Sequence, residues 1–175
     1  EPYLPEPDLA AAFPEIPGDG TVLTFKLRSE AKWQPKGPAN GRAVTAADVK
    51  ATFDRIRALG AKSPRSGNYA GVDAVVAVDA QTVQFKLKAP QADFLNILAD
   101  QFDIVVPQEV AARGDAAIAS ADDIVGSGPY AVSLYEPGRR MQFRRRTDGY
   151  WRPDTTWLDG WEFLNVVDEG QKANT

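Results

Sequence analysis

Residues 45–60 read TAADVKATFDRIRALG and predict the helix around which the fold is organised. Val49, Phe53 and Ile56 recur at helical spacing, with charged residues between them. Apolar residues at this spacing share one side of a helix, so they form a stripe that can pack on a sheet. The stretch therefore predicts an amphipathic helix with one buried face.

Both ends of this helix are marked in the sequence. Thr45 is a favourable N-cap residue, and Asp48 stands three residues later, near the positive end of the helix dipole. Gly60 follows the last apolar position and is a common helix terminator. We expect the helix to run from Thr45 to Leu59.

Residues 72–88, VDAVVAVDAQTVQFKLK, predict a β-hairpin after the helix. Its strands are Val72–Asp79 and Thr82–Lys88, and the second alternates apolar and polar residues. Upstream, Val22–Arg28 alternates in the same way. We expect the helix stripe to pack on an antiparallel sheet that contains Val22–Arg28 and Thr82–Lys88.

The other predicted elements follow no regular strand–helix alternation. This mixed order favours an α+β fold, with a mixed or antiparallel sheet and packed helices, over a doubly wound sheet. In chain order these elements are a short helix at Ala92–Leu98, a strand at Ile104–Val106, a helix within Glu109–Ser120, a hairpin of Tyr130–Tyr135 and Arg140–Arg144, and a strand at Trp161–Val167.

The composition excludes several classes of function. The 175 residues contain neither His nor Cys, which rules out disulfides, zinc fingers and Ser-His-Asp or Cys-His catalysis. No acidic, metal-binding or phosphate-binding motif stands out either. We therefore expect no catalytic residue, no metal and no cofactor. A net charge of −4 argues against a nucleic-acid partner.

Three local patterns each allow two interpretations. Gly126-Ser127-Gly128-Pro129-Tyr130 is either a ligand-approaching loop or, as the local sequence favours, a turn that leads into a strand. A set of arginines is either an anion or nucleic-acid site or, as the alternation favours, the solvated face of a hairpin. Clustered aromatic residues are either a stacking platform or, more often, core anchors. The last two sets are Arg139, Arg140, Arg144, Arg145, Arg146 and Arg152, and Tyr150, Trp151, Trp157 and Trp161.

The ordered series of motifs resembles the bacterial extracellular solute-binding proteins of the oligopeptide, dipeptide and nickel type. Two segments depart from the family pattern. Gln34–Arg42 is longer than the usual Asp-Gly turn, and the family's Arg-Asn pair before Tyr150 reads Arg146-Thr147. The resemblance rests on Pro7-Asp8-Leu9-Ala10, Leu23–Arg28, Ala31-Lys32-Trp33, Thr45–Val49, Val72–Lys88, Ile104–Pro107, Gly126–Tyr130, Tyr150-Trp151 and Leu158-Asp159-Gly160.

The resemblance implies a partial lobe of a two-lobed, type II periplasmic-binding-protein fold. Residues 1–122 would form the extra subdomain of lobe one, and residues 123–175 a fragment of the main lobe-one sheet. Because family members are substantially longer, the second lobe is expected to be absent from this chain.

The implied function is capture of a small solute for an ABC importer. The solute would be a peptide, an oligosaccharide or a chelate, and the partner an ABC permease in the membrane. The location would be periplasmic or extracellular, with a lipoprotein anchor. The expected ligand contacts are Tyr69, Asn68, Ser127 and Gly128. Tyr69 could equally be a core aromatic. Two alternatives remain: an extracellular sensor or interaction domain with the same subdomain, and a hydrolase with a carboxylate pair.

Overall fold

A computed structural model describes residues 4–113, 120–152 and 154–165. Contacts divide the chain into unit 1 (Glu1–Ala31 and Ala43–Gly114) and unit 2 (Lys32–Arg42 and Asp115–Thr175). The described helices are α1 (Ala46–Leu59), α2 (Phe94–Leu98) and α3 (Gln108–Ala111). The described strands are β1 (Val22–Lys26), β2 (Val72–Ala77), β3 (Thr82–Leu87), β4 (Tyr130–Glu136), β5 (Arg140–Arg145) and β6 (Gly160–Leu164).

Unit 1 is built from an antiparallel sheet in the order β1-β3-β2, with α1 packed against it. Phe85 of β3 lies opposite Leu23 of β1 on one side and opposite Val75 of β2 on the other. Val49 and Phe53 of α1 are buried in the core, and Ile56 packs at its margin. The predicted α+β fold, helix stripe and hairpin are therefore confirmed.

The N-terminus of α1 is capped as the sequence predicts. The backbone N–H of Thr45 donates to the Asp48 carboxylate at 2.9 Å, and the Thr45 hydroxyl donates to it at 3.1 Å. The other Asp48 oxygen accepts the backbone N–H of Gln108, also at 2.9 Å. This carboxylate is fully buried and joins the start of α1 to the start of α3.

The predicted strand at Ile104–Val106 is wrong, because this segment has irregular backbone. Val106 bonds to a side chain instead of a neighbouring strand. Its N–H donates to the Thr52 hydroxyl at 3.0 Å, and its carbonyl accepts from the same hydroxyl at 3.2 Å. A short apolar run followed by Pro107 therefore forms a linker docked on α1.

Unit 2 contains a second antiparallel sheet, in the order β4-β5-β6. Its hairpin was predicted, and its turn contains Gly138 in the left-handed region, at a φ of 72°. Two predicted elements lie partly outside the described residues. They are residues 114–119 of the helix predicted within Glu109–Ser120 and residues 166–167 of the last predicted strand. None of the helices in the described ranges has the length and hydrophobicity needed to cross a membrane.

Candidate functional site

The turn Gly126–Tyr130 in unit 2 is held by the side chain of Gln34. The Gln34 carboxamide accepts the Gly126 N–H at 3.1 Å and donates to the Tyr130 carbonyl at 2.7 Å. The Gln34 backbone N–H also donates to the Gly126 carbonyl, at 2.9 Å. Gln34 is only 3 % exposed, so little water competes for these bonds. The turn is thus fixed before any ligand arrives.

Arg146 holds the same turn from a second direction. One guanidinium nitrogen donates to the carbonyls of Ser127, at 3.3 Å, and Lys32, at 3.1 Å. Another donates to the Trp33 carbonyl at 3.1 Å. The Asp148 carboxylate accepts two further bonds, at 2.8 and 2.6 Å. The hydrogen bonds from Arg146 lower the pKa of Asp148.

The turn itself keeps hydrogen-bond donors available. The backbone N–H groups of Ser127 and Gly128 and the Ser127 hydroxyl have no partner among the described residues. A Cβ atom added at Gly128 would meet nothing within 4 Å. The turn therefore presents donors on a small, open surface, which suits contact with a carbonyl or carboxylate group.

Lys36 supports β4 at one further carbonyl group. Its ammonium group donates to the carbonyls of Val132 at 2.7 Å and Ala121 at 2.6 Å. Within the described sheet, β4 pairs with β5 alone, so Gln34 and Lys36 cap carbonyls on its other edge. Partial burial lowers the pKa of Lys36.

Tyr69 and Asn68 lie in unit 1, on a short 3₁₀ helix at Ser66–Tyr69. Tyr69 is 1 % exposed, and its ring packs edge-on against Phe53 at 5.0 Å between ring centroids. Burial and the nearby Asp103 carboxylate raise the pKa of Tyr69, although the hydroxyl forms no well-aligned hydrogen bond within the described ranges. Tyr69 therefore occupies a core position, which was the alternative interpretation of this residue. Asn68 is half-buried, and its side chain has no described partner.

Unit 2 thus holds Ser127 and Gly128, and unit 1 holds Tyr69 and Asn68. Gln34 and Arg146 were not predicted as parts of the site. Gln34 belongs to a segment that was interpreted as a loop insertion, and nothing local marked it. For Arg146 a signal existed, because it stands at the arginine of the family's Arg-Asn pair. Its assignment to a solvated face is wrong, since its side chain is 3 % exposed.

The interpretation of the tryptophans as core anchors is wrong for two of them. Trp157 is 83 % exposed, and Trp161 is 42 % exposed. The Trp161 ring stacks on Phe143 with centroids 3.8 Å apart and planes inclined by 6°. Trp161 is on β6, an edge strand of the described sheet, so within that sheet its ring has a cross-strand neighbour on one side only.

Comparison with known protein families shows to which family the chain belongs. The model of the bacterial extracellular solute-binding proteins, family 5, matches residues 5–175. The chain belongs to this family. Similar proteins include the dipeptide-binding protein of Escherichia coli K12, which is 33 % identical in an alignment of 154 positions that covers 78 % of this chain and 28 % of the relative. The dipeptide-binding protein DppE of Bacillus subtilis is 28 % identical over 95 % of this chain and 32 % of its own length.

Solved structures of similar proteins share the fold. MoaA of A. tumefaciens R10, in complex with mannopinic acid, is 30 % identical, with a TM-score of 0.77 over 97 % of this chain and 32 % of its own. The peptide-binding pheromone receptor PrgZ has a TM-score of 0.84 at 20 % identity, over 98 % of this chain and 36 % of its own. These likenesses confirm the expected fold. The chain spans about a third of the length of the relatives it matches.

Proposed function

We propose that this chain is part of the substrate-binding component of a bacterial ABC importer, and that it helps to capture a peptide-like solute. The observation that carries the proposal is the match of the family 5 model along residues 5–175. Two of the similar proteins are named for dipeptide binding and others for glutathione binding, so a small peptide is the first solute to test. The proposed role is binding without catalysis.

In this proposal the partner is an ABC permease, and the protein works in the periplasm or outside the cell as an anchored lipoprotein. Solute capture would follow the usual two-state scheme, in which the ligand stabilises the closed arrangement of two lobes. The chain would contribute one wall of the cleft. A single wall buries only part of a ligand, so tight binding requires the longer protein.

The turn at Ser127 and Gly128 is the first proposed contact. Its unpartnered N–H and hydroxyl donors suit the carbonyl or carboxylate oxygens of a peptide. Gln34 and Arg146 would act as positioning residues, because they hold the turn without needing to touch the ligand. A fixed turn loses little conformational entropy on binding, which favours affinity.

Asn68 and Tyr69 are the second proposed contact. The Asn68 amide has no described partner and offers both a donor and an acceptor. Tyr69 is buried at 1 % exposure, so direct contact with the ligand requires a local opening around its ring. Without that opening, Tyr69 would act by supporting the short helix that carries Asn68.

The test uses the complete protein that contains this chain. A panel of dipeptides, tripeptides and glutathione is added, and melting temperature and calorimetric affinity are measured. A true ligand raises the melting temperature with concentration, because it binds only the folded state. If no member of the panel, nor an opine or oligosaccharide set, raises it, the proposed function is overturned.

Ser127→Ala tests the turn as a contact. It removes one hydroxyl donor, and we expect the dissociation constant to rise about three- to tenfold. Ser29→Ala is the matched control, since the only partner of this exposed hydroxyl among the described residues is the neighbouring Glu30 side chain. Equal affinity in Ser127→Ala and the unaltered protein would remove the hydroxyl from the site.

A further inference from the structure

One arginine of the basic cluster differs from its neighbours in unit 2. Four of the five arginines between residues 139 and 146 pair with carboxylates, whereas the Arg144 guanidinium has no partner within the described ranges. The four pairs are Arg139 with Glu136 at 3.3 Å, Arg140 with Glu136 at 2.9 Å, Arg145 with Asp159 at 2.5 Å, and Arg146 with Asp148 at 2.6 Å. Arg144 therefore carries an uncompensated positive charge.

Lys36 is a second cation without a carboxylate partner among the described residues. Two of its three ammonium protons are donated to carbonyl oxygens, those of Ala121 and Val132. Carbonyl dipoles hold the ammonium group in place but do not cancel its charge. The Asp122 carboxylate acts on it only at longer range, and burial outweighs that effect on the Lys36 pKa. One ammonium proton remains for another acceptor.

Lys36 and Arg144 line the same groove, which also includes Ser133 and Thr147. We call this the basic groove. The Thr147 hydroxyl has no described partner, so it is a further available donor. The Ser133 hydroxyl already donates to the Gln142 carbonyl at 3.3 Å. The groove thus contains two uncompensated cations and one free hydroxyl.

One carboxylate, that of Asp148, also lines the basic groove. Both of its oxygens accept hydrogen bonds from Arg146, so this pair is neutral as a unit. The Arg145 guanidinium is likewise paired with Asp159. The remaining charge of the groove is therefore positive, in a chain whose net charge is −4. Such a local excess attracts anions although the net charge of the chain is negative.

We propose that the basic groove is a binding site for an oxyanion, either a carboxylate or a phosphate group, held between Lys36 and Arg144. Arg144 can offer two parallel N–H donors, which match the geometry of carboxylates and phosphates. Lys36 adds a point charge, and Thr147 a neutral donor. The site is distinct from the turn at Ser127 and Gly128, so the inference does not rest on the proposed solute-capture function.

Binding of inorganic phosphate and of succinate to the complete protein that contains this chain tests the proposal. Amide chemical shifts are followed by nuclear magnetic resonance at low salt and at about 150 mM salt. We expect saturable shifts centred on Arg144 and Thr147, weakened at the higher salt concentration. A preference for phosphate or for succinate identifies the source of the oxyanion. No saturable shift at those residues with either anion would overturn the proposal.

Arg144→Gln should weaken anion binding at least about fivefold while the fold is unchanged. Arg139→Gln is the matched control, because its side chain is 76 % exposed and it does not line the groove. An equal loss in both variants would mean diffuse charge attraction and would overturn the site. Lys36→Met should also weaken binding. Arg144→Gln decides the outcome if the Lys36 variant loses stability.

Discussion

The two units are stabilised by different kinds of contact. In unit 1, four aromatic rings meet edge-on inside a closed core between α1, α2 and the sheet. In unit 2, Trp33 is fully buried outside the sheet, but the rings of Phe143, Trp161 and Phe163 lie on one face of the described sheet and are half-buried or exposed. Unit 2 depends instead on polar side chains that bond to backbone groups. The rings of the unit 1 core are Phe53, Tyr69, Phe85 and Phe94.

The strand register of unit 2 explains this arrangement. Met141 lies opposite Phe163, and Phe143 lies opposite Trp161, so these side chains share one face of the sheet. The other face carries charged and amide side chains, including the ion pair of Arg140 with Glu162. Where burial of apolar area is small, each hydrogen bond to the backbone accounts for more of the local stability. Substitutions should therefore act through packing in unit 1 and through individual polar bonds in unit 2.

The largest expected effect is on the core of unit 1. Phe53→Ala removes a ring whose centroid lies 5.0 Å from those of both Tyr69 and Phe85. We expect the free energy of unfolding to fall by about 3–5 kcal/mol, measured by urea denaturation. Phe102→Ala is the control, because that ring is 67 % exposed, and it should change stability by less than about 0.5 kcal/mol. Similar losses in both variants would contradict a core role for Phe53.

An intermediate effect is expected at the polar support of unit 2. Gln34→Met keeps the side-chain length but leaves the Gly126 N–H and the Tyr130 carbonyl without their partner. We expect a loss of about 1–3 kcal/mol, with faster hydrogen exchange in β4. Gln142→Met is the control, because its amide bonds to an exposed Glu162 at 3.3 Å. Unchanged exchange in β4 of the Gln34 variant would show that the turn holds without this side chain.

The smallest effect concerns the pH dependence of unit 2. The hydrogen bonds from Arg146 lower the pKa of Asp148 below 3.8, so this carboxylate stabilises the fold at higher pH. Its contribution should be fully present above about pH 4 and disappear as pH falls through the lowered pKa. Comparison with Asp148→Asn should show a difference below about 1 kcal/mol at neutral pH, since solvent screens this exposed group. A difference that persists unchanged to strongly acidic pH would refute the assignment.

Much of unit 1 could be predicted because its signals are local. The spacing of Val49, Phe53 and Ile56 fixed the buried face of α1, and alternation in Thr82–Leu87 fixed the face of β3. The segment Ile104–Val106 failed for the opposite reason. Its apolar residues resemble a strand, but the partner of Val106 is the Thr52 hydroxyl, 54 positions away in the chain.

Only part of the candidate site could be predicted. The turn at Ser127 and Gly128 was selected as a candidate contact from its glycines and from the family resemblance, and this role stays a prediction. Its supports were not, because Gln34 is 92 positions from Gly126, and no local pattern encodes that bond. Arg146 was predicted to lie on a solvated face because Met141 and Phe143 alternate with polar residues in the same hairpin. Its burial depends on carbonyl groups from two distant segments of the chain.

The sequence by itself determined the helix, the hairpins and the family, because short-range periodicity and ordered motifs record which side chains must leave water. Tertiary structure alone decided which polar groups became buried supports and which cations stayed uncompensated. Arg144 and Arg146 are the same residue type two positions apart, yet one lines an open groove and the other is enclosed by backbone carbonyls. That difference arises from the three-dimensional positions of acceptor atoms, which a linear pattern of residue types does not contain.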